Sequence, residues 1–340
     1  MRVMIPKKLN KYFDKKNVNI KYSGSKRKID KYLKKDISKI TFTKLYEKPY
    51  LRTILQLIIK SIQEDYIQTV EEFLDYIKDK LEISLDEPIF IDVLCKYCDE
   101  IIDTYEPYDT KKPKGIKRCP KCKNMIDLSD CEDKKNWECP ESIMYKLLDD
   151  LNKIEIVTKD WYGLCPECLE SSIIKNIKSP LLNDMDINTY KEYLSDFYCP
   201  KCGNLFEIRP FYGLNTNDDI SFWKEGYWLE WYIKNICLKA YPRSIVEQGI
   251  ILSKNHDVIE VDVLILKNNE TYGIECKSYS PDKSVDFGNI APVLKYNNFL
   301  DHSIFITTGI IKPQDVSYLK KNGVSIVNRY EIEKIRRYIK

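Results

Sequence analysis

The sequence predicts an α+β multidomain chain. A helical, basic N-terminal region leads into a middle built on paired cysteines, and a C-terminal α/β domain with a mixed central sheet follows. Three observations lead there. Charge is divided unevenly along the chain, four Cys-x-x-Cys pairs fall between residues 95 and 202, and the last third alternates β-branched, strand-like runs with helix-like ones. The 340 residues suggest two or three domains at about 150 residues each. The expected boundaries are 1–89, 90–145, 146–212 and 220–340.

Composition excludes several classes. With 43% hydrophobic and 12% aromatic residues, the chain has enough apolar material for packed cores, so it is not a wholly disordered protein. No apolar run reaches the roughly 20 residues of a membrane span, which predicts no membrane partner. Met1-Arg2-Val3-Met4-Ile5-Pro6 lacks the apolar segment of a secretion signal, so a cytoplasmic protein is expected. His256 and His302 are the 2 histidines, far apart in sequence, which disfavours histidine-rich metal sites and most histidine-based catalysis.

The net charge of +3 conceals a polarity. Residues 1–60 carry 18 Lys/Arg against 4 Asp/Glu, while the other 280 carry 37 against 48. A basic end on an acidic body suggests an anionic partner, nucleic acid first among them; the plain alternative is a solvated lysine-rich arm. Residues 1–40 are polar, with Ser23-Gly24-Ser25 breaking any long helix, and they are expected to be only partly ordered. Residues 41–85 read as two helices. Leu51, Ile54, Leu55, Ile58 and Ile59 keep an i, i+3, i+4 rhythm, and Val70, Phe73, Leu74 and Ile77 continue it.

Eight of the 12 cysteines form the pairs Cys95/Cys98, Cys119/Cys122, Cys165/Cys168 and Cys199/Cys202. Two thiolates three positions apart on a tight turn can reach one ion, and a second such turn completes a tetrahedron. Two structural Zn²⁺ ions are therefore expected, one per pair of turns, forming a zinc ribbon at 90–145 and another at 146–212. All four positions of each are closed by cysteine, so the ions should fold the chain and not catalyse. Cys131 and Cys139 are spare thiols that could replace a ligand. Disulfides, a thioredoxin-like redox pair and an iron–sulfur cluster are the weaker readings. Between the ribbons a helix is expected from Glu141 to Leu151 and a strand over Ile154–Val157. The polar run Gly213–Asp219 is taken as the last linker.

The C-terminal region opens with a helix from Phe222 to Lys239, stopped by Pro242. Strands follow over Ser244–Leu252, Val258–Leu266 and Thr271–Lys277. If Asn268-Asn269 is a two-residue hairpin turn, Lys267 pairs with Glu270. Asp262 then lies opposite Glu275, and Glu260 opposite Lys277, on one face of the hairpin. Ile259, Val261, Val263, Ile265, Tyr272, Ile274 and Cys276 form the other face. Carboxylates this close repel unless a cation lies between them, and oxygen ligands suit Mg²⁺ or Mn²⁺. The bland alternative is a pair of exposed cross-strand salt bridges.

Asp262, twelve residues, then Glu275-Cys276-Lys277 resembles the PD-(D/E)xK nuclease signature. Glu230 within Gly226-Tyr227-Trp228-Leu229-Glu230 looks like the glutamate of that fold's first helix. A helix over Asn289–Phe299, a buried strand ending Thr307-Thr308-Gly309, a helix over Gln314–Lys321 and a short strand over Gly323–Val327 complete a succession similar to the Mrr-like restriction endonuclease branch. The resemblance covers residues 220–340. It implies a restriction-endonuclease-like fold and metal-dependent hydrolysis of phosphodiesters, DNA foremost, in a restriction or defence role. By it, Asp262, Glu275 and the Cys276 carbonyl bind Mg²⁺ or Mn²⁺. Lys277 orients the attacking water, and Glu230 makes a second or water-mediated metal contact. Val261 stands where the pattern often has proline. No glutamine lies in the Asn289 helix, where Asn289 is either the substitute or a helix-cap residue, and Gln248 sits on the preceding strand, where it could equally be a surface residue. Double-strand cutting would require two sites, hence a homodimer or a second nick. The competing readings are an RNA-directed nuclease and a non-catalytic zinc-ribbon nucleic-acid-binding protein with a relict nuclease fold.

Overall fold

A computed structural model describes residues 4–24, 48–65, 67–84, 88–107, 112–153, 157–173, 197–214, 226–281 and 283–339. It contains two compact units that interleave in sequence: residues 1–57, 80–137 and 218–340 in one, and 58–79 and 138–217 in the other. The N-terminal segment and the first cysteine ribbon fall in the unit that holds the C-terminal sheet.

That sheet has six strands. They are β1 (Asn19–Tyr22), β2 (Ile245–Lys254), β3 (Asp257–Lys267), β4 (Glu270–Lys277), β5 (His302–Thr307) and β6 (Val324–Val327), paired in that order. The first three pairings are antiparallel and the last two parallel, giving the expected mixed sheet. Four helices matter for the site: α1 (Lys7–Asp14), α2 (Pro49–Asp65), α3 (Tyr227–Ala240) and α4 (Pro313–Lys321).

The N-terminal segment departs from the expectation of a partly ordered basic arm. Leu9, Phe13 and Val18 are buried in the core with Ile250, Leu252 and Val261, while Lys7, Lys8, Lys11 and Lys15 face water. Apolar residues one helical turn apart bury one stripe of α1 and leave its lysines on the other. Asp301 ties this helix to the sheet by accepting from the Tyr12 hydroxyl at 2.8 Å and the Lys16 amine at 3.0 Å. Residues 25–47, also part of that basic stretch, lie outside the described residues.

The β3–β4 hairpin turns at Asn268 and Asn269, both left-handed with φ of 51° and 64°, as the two-residue turn requires. Lys267 pairs with Glu270, and the register runs back to Val263 with Ile274. There the ladder ends, so Asp262 and Glu275 are not ladder partners, nor are Glu260 and Lys277. One strand over, the pairing is interrupted at the same level. Gly249 takes φ of 61° and interrupts the β2–β3 pairing between Gln248 and Ile250. Strict alternation fails at this bend: Ile259 and Val261 before it join the same core as Leu264 and Leu266 after it. The single apolar face expected along the whole hairpin is therefore split.

The expected helix over 289–299 is a short α-turn at Phe287–Ile290 running into a 3₁₀ stretch at Ala291–Asn298. Pro292 falls where the continuing helix would need an N–H donor. Gly273 lets this stretch approach the sheet, since a Cβ there would lie 2.3 Å from Leu300 Cδ1 and 2.8 Å from Tyr296 Cδ2.

The other unit has a four-stranded sheet of Ile67–Thr69, Glu207–Leu214, Val157–Leu164 and Ser171–Ile173, in that order, together with the helix Glu141–Lys153. Gly213 and Leu214, taken as linker from the sequence, belong to its longest pairing. Residues 154–156 of the expected strand and 215–225 of the linker and first helix lie outside the described residues.

Candidate active site and cysteine metal centres

The cysteines form two quartets, Cys95/Cys98/Cys119/Cys122 and Cys165/Cys168/Cys199/Cys202, each with its sulfurs within 4.8 Å of one another. Cys95–Cys122 and Cys98–Cys119 sulfurs are 3.6 Å apart, Cys165–Cys202 3.3 Å and Cys168–Cys199 3.4 Å. A tetrahedron with Zn–S bonds of about 2.3 Å has edges of about 3.8 Å, so either quartet could hold one Zn²⁺. All four turns share one construction. The residue after each second cysteine is left-handed: Asp99, Lys123, Leu169 and Gly203, with φ of 56°, 63°, 57° and 75°. Its N–H donates to the first cysteine's carbonyl at 2.8, 3.1, 3.0 and 2.8 Å. Sequence reasoning identified this conformation at Gly203 alone, because the other three positions carry side chains, which ordinarily disfavour positive φ. Main-chain N–H groups of Cys168 and Glu167 draw the Cys165 thiol down to about 7. Burial pushes Cys119 upward, but N–H groups of Cys122 and Lys121 and the adjoining thiols outweigh it and hold it at about 6. Thiolates are the metal-binding form. Cys131 and Cys139 stand apart from both quartets, and burial pushes Cys139 up to about 12.

The acidic residues converge where the β3–β4 ladder ends. A cleft of about 370 Å³ is lined by Glu260, Asp262, Glu275, Lys277, Lys295 and Tyr296, with Gly288, Ala291 and Pro292 on its far wall. Asp262 Oδ2 accepts from the Cys276 N–H at 2.7 Å, in place of a ladder bond. Lys277 Nζ lies 2.6 Å from Glu275 Oε1. The other Glu275 oxygen and the Glu260 carbonyl, the latter at 2.8 Å, share the single proton of the Tyr296 hydroxyl. Tyr296 was missed from sequence because a buried aromatic on a helix-like stretch reads as core; nothing in its neighbours announces the carboxylate it holds.

Glu230 sits in the first turn of α3, whose N-terminal Gly226 has φ of 79° and meets Ser278 closely. Its side chain is 7% exposed, and Oε2 has no hydrogen-bond partner. Burial first, then Asp262, Glu260 and Glu275, push its pKa well above the usual carboxylate range. Burial and Glu275 do the same to Asp262. Burial opposes charge on Lys277, but Glu275 and Asp262 outweigh it and hold the lysine protonated. Cys276 is buried, its N–H on Asp262, and burial with Asp262, Glu230 and Glu275 pushes its thiol well above the usual range.

These features fit a divalent cation. The donors are hard oxygens, they repel one another, and one buried carboxylate oxygen lacks any partner. Among the described residues, the cysteine quartets are the groups of three or more ligand atoms within 4.8 Å, so the carboxylates are spaced more widely than a closed set.

Other sequence candidates lie elsewhere. Asn289 is exposed and outside the cleft wall. Gln248 is buried with its Nε2 unpartnered. His302 stacks on Tyr272 at 4.4 Å, and His256 is an exposed turn residue. Trp228 and Trp231 are buried, so they pack in the core. Among the described residues, no helix is long and apolar enough to cross a membrane.

No known protein family and no curated protein matches the chain. Solved structures are similar to it at low identity. Can2 from Sulfobacillus thermosulfidooxidans, in complex with cyclic tetra-adenylate, is 15% identical with a TM-score of 0.33, over 46% of this chain and 46% of its own. Protein VC1899 from Vibrio cholerae is 11% identical with a TM-score of 0.41, over 96% and 59%. AF1548, a protein of unknown function, is 18% identical with a TM-score of 0.24, over 29% and 58%. The chain spans less than two thirds of the length of each.

Proposed function

We propose that the protein is a metal-dependent nuclease of the PD-(D/E)xK type that hydrolyses phosphodiesters in DNA, with a restriction or defence role by analogy to the Mrr-like branch. The observation that carries this reading is the meeting of Asp262, Glu275 and Lys277 in one cleft, with the unpartnered Glu230 carboxylate in electrostatic reach. An ordinary solvated hairpin would not bury carboxylates against one another, because the desolvated like charges cost stability and return nothing.

Asp262 and Glu275 would hold Mg²⁺ or Mn²⁺, with the Cys276 carbonyl as a third donor and Glu230 as the outer carboxylate. A bound divalent ion supplies charge compensation for the phosphate and a more acidic water. The chain's own groups do the rest. Lys277, released from Glu275, is placed to hydrogen-bond the attacking water or the developing phosphorane charge. Tyr296 keeps the Glu275 carboxylate facing the cleft. Lys295, an exposed cation on the wall, is placed to meet a neighbouring phosphate. The zinc ribbons and the lysines of α1 would hold the nucleic acid, and double-strand cutting would require a second copy or a second nick.

The test is cleavage of supercoiled plasmid, linear duplex, single-stranded DNA and RNA by zinc-loaded protein with Mg²⁺, Mn²⁺ or neither, beside Glu275→Gln. Divalent-dependent cutting of DNA, lost in the variant, is expected. Cutting of RNA alone would redirect the reading to an RNA nuclease. Binding of every substrate with no cutting would leave the zinc-ribbon binding protein with a relict site.

A further inference from the structure

The segment that follows Lys277 leaves the sheet, and a set of side chains outside the cleft grips it. Thr307 Oγ1 donates to the Lys277 carbonyl at 2.8 Å and accepts from the Gly309 N–H at 3.0 Å. Thr308 Oγ1 accepts from the Tyr279 N–H at 2.9 Å and donates to the Tyr279 carbonyl at 2.8 Å. One hydroxyl thus replaces both partners that a neighbouring strand would give Tyr279. The same oxygen accepts from Gln56 Nε2 at 2.9 Å, and that nitrogen also reaches the Tyr279 carbonyl at 3.1 Å and Ser278 Oγ at 3.3 Å. Ser278 Oγ accepts from Trp228 Nε1 at 2.9 Å, two residues before Glu230 on α3. Thr307 and Thr308 are fully buried, and Gln56 comes from α2, 222 residues before Ser278.

We infer that Gln56, Thr307 and Thr308 form a latch that positions Lys277. None of them lines the cleft, so they are positioning residues and not catalytic ones. A lysine amine on a flexible four-carbon stem is aimed only as well as its own main chain is fixed. Lys277 is the last strand residue, paired with Thr307 and accepting from the Thr308 N–H at 3.3 Å, and the latch carries that hold beyond the ladder onto Ser278 and Tyr279. Serving this purpose explains why two consecutive hydroxyls are buried at the end of β5, where valine would pack equally well. It also explains why a glutamine from α2 is directed at the Tyr279 carbonyl and the Ser278 and Thr308 hydroxyls. The Trp228–Ser278 bond joins the latch to the helix that carries Glu230, so both sides of the acidic site are set against one framework.

The inference rests on the nuclease reading for its catalytic consequence, and the test separates the two. Full-length, zinc-loaded Thr308→Val, Thr308→Ser and Gln56→Met are compared with wild type by amide exchange over residues 278–280 and by steady-state cleavage. Loss of the latch should speed exchange at Tyr279 about tenfold in Thr308→Val and Gln56→Met, with protection restored in Thr308→Ser. The kcat should fall about ten- to a hundredfold in the first two while KM for nucleic acid stays within about twofold, with serine recovering most of it. Unchanged exchange in folded Thr308→Val overturns the latch. Faster exchange with unchanged kcat overturns its positioning role. A wild-type protein that cuts nothing overturns the nuclease reading, and the exchange arm then decides the latch alone. Gln56 is only partly buried, so its methionine variant keeps the test available if Thr308→Val fails to fold.

Discussion

Glu230→Gln should make the protein more stable while removing its activity. Glu230 is buried, its Oε2 is unpartnered, and burial together with Asp262, Glu260 and Glu275 raises its pKa. A carboxyl whose folded pKa lies above its unfolded value stabilises the fold while protonated. That contribution is complete below the unfolded value near 4 and is lost as pH rises through the raised folded value. Wild type should therefore lose stability as pH rises above the unfolded value near 4 and through the raised folded values, in the absence of a divalent cation, as Glu230 and Asp262 ionise against each other. Glutamine keeps the volume, carries no charge and can donate to a neighbouring carboxylate. Relief of one unsatisfied, repelled carboxylate is worth about 1–3 kcal/mol. For a folding unit of this size that is a rise in Tm of roughly 2–10 °C. Zinc-loaded proteins would be unfolded thermally and by guanidinium in divalent-free buffer at pH 5, 6, 7 and 8; a chelator is avoided because it would also strip the cysteine centres. The gap should be widest at pH 8, close towards pH 5, and narrow when Mg²⁺ is added, because the ion stabilises wild type more than the variant. A variant no more stable than wild type at pH 8, or a gap that ignores pH, would refute the reasoning.

Two other outcomes are expected. Metal analysis should give two Zn²⁺ per chain and one in Cys119→Ser, with removal unfolding the ribbons and Mg²⁺ failing to restore them; a count well under two refutes the paired quartets. In the N-terminal segment, Phe13→Ala should cost about 3–5 kcal/mol in chemical denaturation. Replacing exposed Lys7, Lys8, Lys11 and Lys15 by glutamine should leave stability within about 0.5 kcal/mol and flatten the salt dependence of DNA binding. An unchanged salt slope would mean that α1 does not touch phosphate.

What the sequence disclosed divides along physical lines. The β3–β4 register was legible because a local signal, two asparagines suited to left-handed turns, fixes the pairs from Lys267–Glu270 back to Val263–Ile274. The knuckles were legible because thiolate spacing is a local constraint too. The role of residues 5–22 was hidden because β1 pairs with β2 across more than two hundred residues, and lysines mask the three apolar positions that reach the core. Tyr296 and the Gln56 latch were hidden for the same reason: side chains that meet their partners through tertiary packing leave no periodicity. The split face at Asp262 was misjudged because alternation was extended through a strand whose neighbour contains a left-handed glycine.

That glycine joins the fold to the site. Gly249 interrupts the β2–β3 ladder opposite Asp262, and its carbonyl accepts from the Ser23 N–H at 2.8 Å on the side of β1, continuing the β1–β2 pairing. On β3 the consequence is a change of face between Val261 and Leu264, and at that point the ladder to β4 stops. Asp262 is then free to turn its carboxylate onto the Cys276 N–H instead of lying flat in a register. A regular hairpin would place Asp262 and Glu275 side by side and hold both in the pleat. The bend instead opens a cleft between them and the 3₁₀ stretch, wide enough for Lys277 and Tyr296 to reach the same carboxylate from opposite directions. The N-terminal strand thus completes the sheet beside Gly249, independently of any contact its lysines make with nucleic acid.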